Sequence, residues 1–142
     1  FDIIAAPEVA TLLLNSGFKL PSSDHPSFPA QRMAFQLAIG RLQLQVERNL
    51  LSLAEVTGRP TIIVFDRGLL DGKGYMSEQE WQDLLRKLTD SGGRGISEQY
   101  CLSRYDGVIH LVTAADGAEA FYVAGKVKDD DGQNVVPHET AE

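Results

Sequence analysis

The chain has 142 residues, 43% of them hydrophobic, which fits a single soluble globular domain with one buried core. It carries 20 acidic and 13 basic side chains, giving a formal net charge of -7. Such a surface as a whole repels nucleic acid and anionic membranes, so nucleic acid is not an expected partner and any anion site must be local.

The cysteine count and the hydropathy pattern argue against a disulfide-stabilised or cysteine–metal protein and against a membrane-spanning one. Cys101 is the single cysteine, so an internal disulfide or a cysteine metal site cannot form. No apolar run approaches ~18 residues, so no transmembrane segment is predicted, and the expected location is cytoplasmic. The sequence begins at Phe1 rather than at methionine, and we expect a fragment that is incomplete at its N-terminus.

The most informative stretch runs from Thr61 to Asp71. Its apolar first half has no polar face, which is typical of a strand covered on both sides in a parallel sheet, and Asp66, Arg67 and Gly68 follow at the carboxyl end. Ligands of open α/β sheets bind beyond that end. A carboxylate there can hold hydrated Mg²⁺ or take a proton, and a guanidinium can bind phosphate. The alternative is that Asp66 caps the turn and Arg67 pairs with it.

The N-terminal segment predicts a second strand over residues 1–6, followed by a helix from Pro7 to about Asn15 that ends at Gly17. Glu8 then lies level with Asp66 if the two strands are parallel neighbours. The alternative is that Glu8 is a first-turn acid that interacts favourably with the helix dipole.

Three pieces of sequence, Pro7–Thr11, Phe65–Gly68 and Tyr105–Glu119, resemble the P-loop AAA-type domain shared by the TRPL translocation defect protein and the NadR-like ribosylnicotinamide kinase family. The resemblance spans nearly the whole chain in order, and the third piece is the most specific. It implies a three-layer α/β, kinase-like parallel sheet that binds ATP or GTP with Mg²⁺. It also implies that Glu8 faces the acceptor substrate, and it suggests GTP and a phosphoinositide-linked trafficking role.

A long helix is predicted from Gln31 to Thr57, after a proline-rich loop over residues 19–29. Gly58 ends it. Its apolar positions form two stripes, one of Phe35, Ile39, Leu42, Val46, Leu50 and Leu53 and one of Leu37, Leu44 and Leu51. In kinase-like domains this helix lines the acceptor side, so Arg41 and Gln43 are candidate substrate-binding residues, although core and surface roles explain most of the helix.

The second half of the chain predicts helices and one further strand. A capping box at Ser77 opens a structural helix that ends at Gly92-Gly93, and a short helix over residues 96–104 precedes a strand from Gly107 to Val112. His110 is expected to be a hydrogen-bonded core residue of that strand, and Arg104 is expected on the far side from Asp66.

The polar segment Tyr122–Glu142 corresponds in position to the mobile lid of kinase-like domains. Such lids supply arginines to the phosphates, but no arginine follows Arg104 here, and Lys126, Lys128 and His138 are the cationic substitutes. This favours a nucleotide-dependent adaptor that binds without turnover. The alternatives are a small-molecule kinase for a nucleoside-like acceptor held near Glu8 and Asp66, and an α/β domain that binds no nucleotide.

The phosphate-binding loop itself is not found. Gly68 lies one residue too close to Gly72 for the required spacing, and Lys73 is followed by glycine. In kinase-like domains the strand that precedes this loop in the chain lies between two other strands of the sheet. Those two correspond here to the strands predicted over Thr61–Asp66 and Gly107–Val112. We therefore expect residues 1–142 alone to aggregate and to bind no nucleotide.

Overall fold

The structure is a computed structural model that describes residues 1–111 together with the backbone of residues 127–128 and 134–135. The chain divides into two compact units, Phe1–Tyr105 and Asp106–Glu142. In the first unit the elements are β1 (Asp2–Ala6), α1 (Val9–Asn15), α2 (Phe28–Thr57), β2 (Thr61–Phe65), a 3-10 turn (Asp71–Tyr75), α3 (Glu78–Lys87) and α4 (Glu98–Leu102).

The two strands β1 and β2 pair in parallel, with Asp2 opposite Thr61 and Ala6 opposite Phe65. Both strands were predicted, and their parallel pairing is confirmed. Parallel strands need a crossover connection, which α1 and α2 supply. The described residues therefore form an α/β unit around a parallel pair, while the larger three-layer, kinase-like sheet stays a prediction.

One face of this sheet is partly covered and the other is open. Side chains alternate along the strands, so Ile4, Ile63 and Phe65 share the half-buried face, whereas Ile3 and Val64 belong to the opposite one. The side chains of Ile3 and Val64 are 66% and 52% exposed. The sequence predicted a strand buried on both faces of the sheet. Within the described part of the chain, only one face is partly buried.

The helix α2 begins at Phe28 rather than at Gln31, because Pro29 is well tolerated in the first turn of a helix. It ends where predicted, at Gly58, whose φ of 62° is left-handed. Its buried side differs from the predicted apolar stripes, since Leu51 and Leu53 are exposed. Leu44 is the buried member of those stripes, and the other buried positions are Gln36, Gly40, Gln43 and Glu47.

The hydrophobic core lies around α3. Ser77 forms the predicted capping box with Glu80 and starts the helix, but the helix ends at Lys87 rather than at Gly92. Trp81 is fully buried at its centre. Its apolar neighbours come from α2, α3, α4 and the segments between them, and they are Leu44, Leu69, Leu84, Leu85, Leu88, Ile96 and Cys101.

The predicted strand after Gly107 is not found. Residues 107–111 have no regular secondary structure and are exposed, and Val112 lies outside the described residues. The prediction that His110 is a core residue is therefore wrong, since apolar residues form a strand only where a partner strand is available to pair with them.

In the second unit, β3 (Val127–Lys128) pairs antiparallel with β4 (Asn134–Val135), within the segment expected to be a lid. The rest of that segment, including His138, lies outside the described residues. Among the helices that the structure describes, none has the length and apolarity needed to cross a membrane.

Candidate functional site

The carboxyl ends of β1 and β2 bring two predicted residues into contact. Because Ala6 lies opposite Phe65, the residues that follow the two strands emerge at the same edge of the sheet. There, Nε of Arg67 donates to Oε1 of Glu8 at 2.7 Å. The hydroxyl of Thr11 donates to the other oxygen of Glu8. The expected proximity of Glu8 to the end of β2 is thus confirmed.

Arg67 has an unusual backbone conformation. Its φ is 66°, and it is the one non-glycine residue with positive φ among those the structure describes. A non-glycine residue in this region costs of order 1–3 kcal/mol and persists where the surroundings hold it. Here the Nε2 amide of Gln43 donates to the Arg67 carbonyl at 3.4 Å, and the Gly68 amide donates to Asp71 Oδ2 at 2.5 Å.

The side chain of Arg67 is half exposed and charged. Partial burial lowers the pKa of its guanidinium, but the nearby Tyr75 and Glu8 outweigh that effect and raise the pKa overall. Its Nη1 also donates to the Tyr75 hydroxyl at 3.2 Å. A cation held in this way at the ligand edge of a sheet can bind a phosphate oxygen.

Asp66 is exposed, and its carboxylate accepts no hydrogen bond from the residues that the structure describes. The alternative in which Asp66 caps the turn and pairs with Arg67 does not match this geometry. Asp71 caps the turn instead, and Arg67 pairs with Glu8. The carboxylate of Asp66 is therefore available to a ligand.

The acidic groups of the site match a hydrated Mg²⁺ better than a metal bound by protein ligands alone. Over residues 1–111, no three His, Cys, Asp or Glu side chains cluster in a way that could hold a metal. Mg²⁺ keeps several waters and is commonly held by one or two carboxylates together with substrate phosphates. Asp66, with its exposed carboxylate, is the residue here that could hold such an ion through its waters.

A buried glutamate beneath the turn was missed by the sequence analysis. Glu47 is 1% exposed and accepts hydrogen bonds from Arg104 Nε at 2.5 Å, the Tyr105 hydroxyl at 2.6 Å and Gln43 Nε2 at 3.0 Å. The Tyr105 hydroxyl in turn accepts from the Leu69 amide at 2.9 Å. The expectation that Arg104 lies on the far side from Asp66 is corrected, since this network reaches the turn after β2.

The buried groups near Glu47 have shifted pKa values. Burial raises the pKa of the Tyr105 hydroxyl, and its hydrogen bond to Glu47 raises it further, so the hydroxyl stays protonated. Burial lowers the pKa of Arg104, but the bond to Glu47 outweighs this and raises it overall. Burial, with the charge of Glu47, also raises the pKa of the Cys101 thiol to about 11, which makes it a poor nucleophile.

The signal that could have revealed Glu47 is a polar stripe on α2. Gln36, Gly40, Gln43 and Glu47 recur at alternating steps of four and three residues, the spacing of one helix face. All four are buried. Apolar periodicity placed the buried side of α2 on its large apolar residues, so Gln43 was the one candidate residue predicted from this face.

The remaining predicted residues are not part of the cluster. Arg41 is exposed and makes no hydrogen bond or ion pair with the residues that the structure describes. Lys126 lies outside those residues, and Lys128 is described only as backbone in β3. The structure therefore brings together Glu8, Arg67 and Gln43, with Asp66 on the same turn.

An apolar groove lies apart from these charges, between α1 and the N-terminal half of α2. Its volume is about 260 Å³, and the rings of Phe18 and Phe35 stack at its wall with centroids 5.0 Å apart. The other lining residues are Leu13, Ser16, Gln31, Ala34 and Ala38.

Comparison with known proteins finds no matching family model, no matching curated protein and no matching solved structure. The function is therefore argued from the site itself. That site offers a free carboxylate on Asp66, a fixed cation on Arg67 and a second carboxylate on Glu8 that is already paired. Such a set can bind a metal-bound phosphate.

Proposed function

We propose that this chain is part of a P-loop, kinase-like domain that binds a purine nucleotide, ATP or GTP, together with Mg²⁺. The proposal is supported by the parallel strand pair, which delivers Glu8 and Arg67 to the edge where open α/β sheets bind ligands. The observation that carries it is the left-handed backbone of Arg67, because strained residues that are held in place are concentrated at ligand sites.

In this proposal each residue of the edge has a separate role. Asp66 orients the hydration shell of a nucleotide-bound Mg²⁺, since its carboxylate is exposed. Arg67 binds a phosphate oxygen, and its charge offsets the negative charge of the phosphates. Glu8 faces the acceptor side and holds Arg67 while no phosphate is bound.

Binding without turnover is the activity that the geometry favours. Both carboxylate oxygens of Glu8 are occupied, one by Arg67 and one by Thr11, so this residue is not a free base. We therefore propose a nucleotide-dependent adaptor in the cytoplasm, with trafficking proteins or phosphoinositides as the partners suggested by the sequence resemblance. The alternative is a small-molecule kinase in which phosphate binding draws Arg67 away and frees Glu8.

Calorimetry on the protein at its full encoded length tests the nucleotide site. A charged hydrogen bond contributes about 1.5–3 kcal/mol, so Arg67→Ala should weaken binding of MgATP or MgGTP roughly 10- to 150-fold. Arg59→Ala is the matched control, because it removes a 2.8 Å pair with Asp2 at the opposite, amino edge of the same strands. Equal losses in both variants, or no binding by the wild type, would contradict the proposal.

A measurement of phosphate release and phosphoryl transfer distinguishes the adaptor from the small-molecule kinase. The adaptor should bind nucleotide with no release of phosphate and no transfer to added nucleosides. Phosphoryl transfer to a nucleoside-like acceptor that is lost in Glu8→Gln, with nucleotide affinity retained, would instead establish the kinase alternative.

A further inference from the structure

Glu47 is a charged group in an unusual place, the buried side of a long helix. Burying a carboxylate costs several kcal/mol unless its oxygens are well paired. Arg104 supplies the opposite charge, and its Nη1 also donates to the Tyr100 hydroxyl at 3.0 Å. Helix packing alone would be satisfied by an apolar residue at this position, so a role beyond packing is expected.

Two of the partners of Glu47 lead directly to the turn after β2. The Tyr105 hydroxyl donates to Glu47 and accepts from the amide of Leu69, so one hydroxyl joins α2 to the turn. The Gln43 amide donates both to Glu47 and to the carbonyl of Arg67. The carboxylate thus orients two side chains whose other bonds end on consecutive parts of the same turn.

Steric contact reinforces this arrangement. A Cβ on Gly68 would lie 3.0 Å from the Tyr105 hydroxyl, which is closer than a side chain tolerates without movement. Leu69 is 6% exposed and belongs to the core. The backbone of the turn is therefore packed directly on Tyr105, and a shift of that ring would move the turn.

We propose that Glu47 is a positioning residue for the turn from Asp66 to Leu69, acting through Tyr105 and Gln43. It holds the left-handed backbone of Arg67, and it thereby keeps the exposed carboxylate of Asp66 and the guanidinium of Arg67 in a fixed relation. The consequence for nucleotide binding rests on the function proposed above, whereas the positioning of the turn does not.

Tyr105→Phe tests this with little disturbance, because it removes one oxygen and leaves the ring in place. Hydrogen exchange of the Leu69 amide, measured by NMR on the full-length protein, should become about 2- to 10-fold faster, since a net hydrogen bond contributes about 0.5–1.5 kcal/mol. Affinity for MgATP or MgGTP should fall by a similar factor.

Tyr100→Phe is the matched control, because its hydroxyl contacts Arg104 in the same network but not the turn. It should leave both the exchange of Leu69 and the nucleotide affinity unchanged, even where it lowers Tm equally. Glu47→Gln, which keeps the shape of the side chain, should change Leu69 exchange in the same direction as Tyr105→Phe.

The two proposals fail in different ways. Unchanged exchange of Leu69 in Tyr105→Phe, or equal exchange in Tyr105→Phe and Tyr100→Phe, overturns the positioning role whatever happens to binding. A wild-type protein that binds no nucleotide overturns the proposed function, while the exchange of Leu69 still decides whether Glu47 and Tyr105 position the turn. Faster exchange in Tyr105→Phe alone, with weaker binding, supports both.

Discussion

Arg67 donates from Nε to the carboxylate of Glu8 at 2.7 Å, and this contact joins the residues that follow two adjacent parallel strands. The side chains of Arg67 and Glu8 are 50% and 26% exposed. An ion pair with this much solvent contributes only about 0.2–1 kcal/mol to stability. Loss of this ion pair should therefore change the stability of the fold only slightly.

Glu8→Gln should strengthen binding of MgATP or MgGTP, because it releases the guanidinium of Arg67 for a phosphate. The expected gain is roughly 2- to 5-fold, the equivalent of an exposed ion pair. Isothermal calorimetry on the full-length protein measures it. Asp2→Asn, which breaks the pair with Arg59, should have no such effect. Weaker binding in Glu8→Gln would show that Glu8 itself contacts the ligand.

Asp66→Asn should weaken binding in magnesium and change little without it. The carboxylate is exposed and accepts no hydrogen bond from the described residues, so Tm should stay within about 1–2 °C of wild type. Loss of a charge-assisted contact to the hydrated ion predicts roughly a 5- to 150-fold lower affinity. Calorimetry with Mg²⁺ and with EDTA provides the comparison.

Asp71→Asn is the matched control for Asp66, because Asp71 lies on the same turn but accepts a hydrogen bond from the Gly68 amide at 2.5 Å. It should lower the free energy of unfolding by about 0.5–2 kcal/mol, the cost of losing a charged backbone cap. If Asp66→Asn lowered Tm as Asp71→Asn does, with affinity unchanged, Asp66 would be a structural residue.

Cys101 should be unreactive in the folded protein. Burial, with the charge of Glu47, raises the pKa of its thiol from 9.0 to about 11, so the thiolate is scarce at neutral pH. Iodoacetamide at pH 8 should label the denatured chain and spare the native one. Rapid labelling of the native protein would contradict the buried position.

The same shift predicts a pH dependence of stability. The unfolded thiol loses its proton near pH 9.0 and the folded one near pH 11, so the unfolded state binds fewer protons in this window. The contribution is fully present below pH 9.0 and is lost as the pH rises towards 11. The free energy of unfolding of the wild type should therefore fall more steeply there than that of Cys101→Ala. Parallel curves would contradict the shift.

Gly40→Ala should destabilise the contact between α2 and α3. The new Cβ would lie 2.8 Å from Cδ1 of Leu88, which is 2% exposed and has little room to move. Overpacking costs about 1–3 kcal/mol, and the better helix propensity of alanine offsets about 1 kcal/mol of it. Urea unfolding followed by the fluorescence of Trp81 should show a net loss of about 1 kcal/mol, whereas Ser52→Ala on the exposed side should be neutral.

Local sequence signals correctly predicted the helix ends that are set by the residues immediately around them. Gly58 ends α2 in a left-handed conformation, and Ser77 opens α3 with a capping box, because both features depend on residues within one or two turns. The parallel pairing of β1 and β2 followed from two apolar segments joined by helices.

The features that the sequence did not predict are those that depend on contacts between residues far apart in the chain. The buried side of α2 carries Gln43 and Glu47 because Arg104 and Tyr105 reach it from far along the chain, and no local pattern names those partners. Residues 107–111 are apolar but form no strand, since strand formation depends on a neighbour to pair with. The position of Glu8 was predictable from the strands, but its bond to Arg67 required the conformation of the turn.

The open face of the sheet should control the behaviour of residues 1–142 expressed alone. Ile3, Ile62 and Val64 lie on that face with more than half of each side chain exposed, and the second edge of β2 has no partner strand within the described residues. Apolar surface removed from water contributes roughly 25 cal/mol per Å², and an unpaired strand edge offers a template for association. We therefore expect this piece to self-associate, and light scattering after size exclusion should show its mass rising with concentration.

Ile62→Thr with Val64→Thr should suppress that association, because threonine keeps the strand propensity while it removes apolar surface. Leu53→Thr with Val56→Thr is the matched control, since these side chains are 61% and 87% exposed on α2, away from the strands. Equal suppression by both pairs would place the association on the helix instead. A 142-residue protein that stays monomeric at every concentration would show that this face needs no cover.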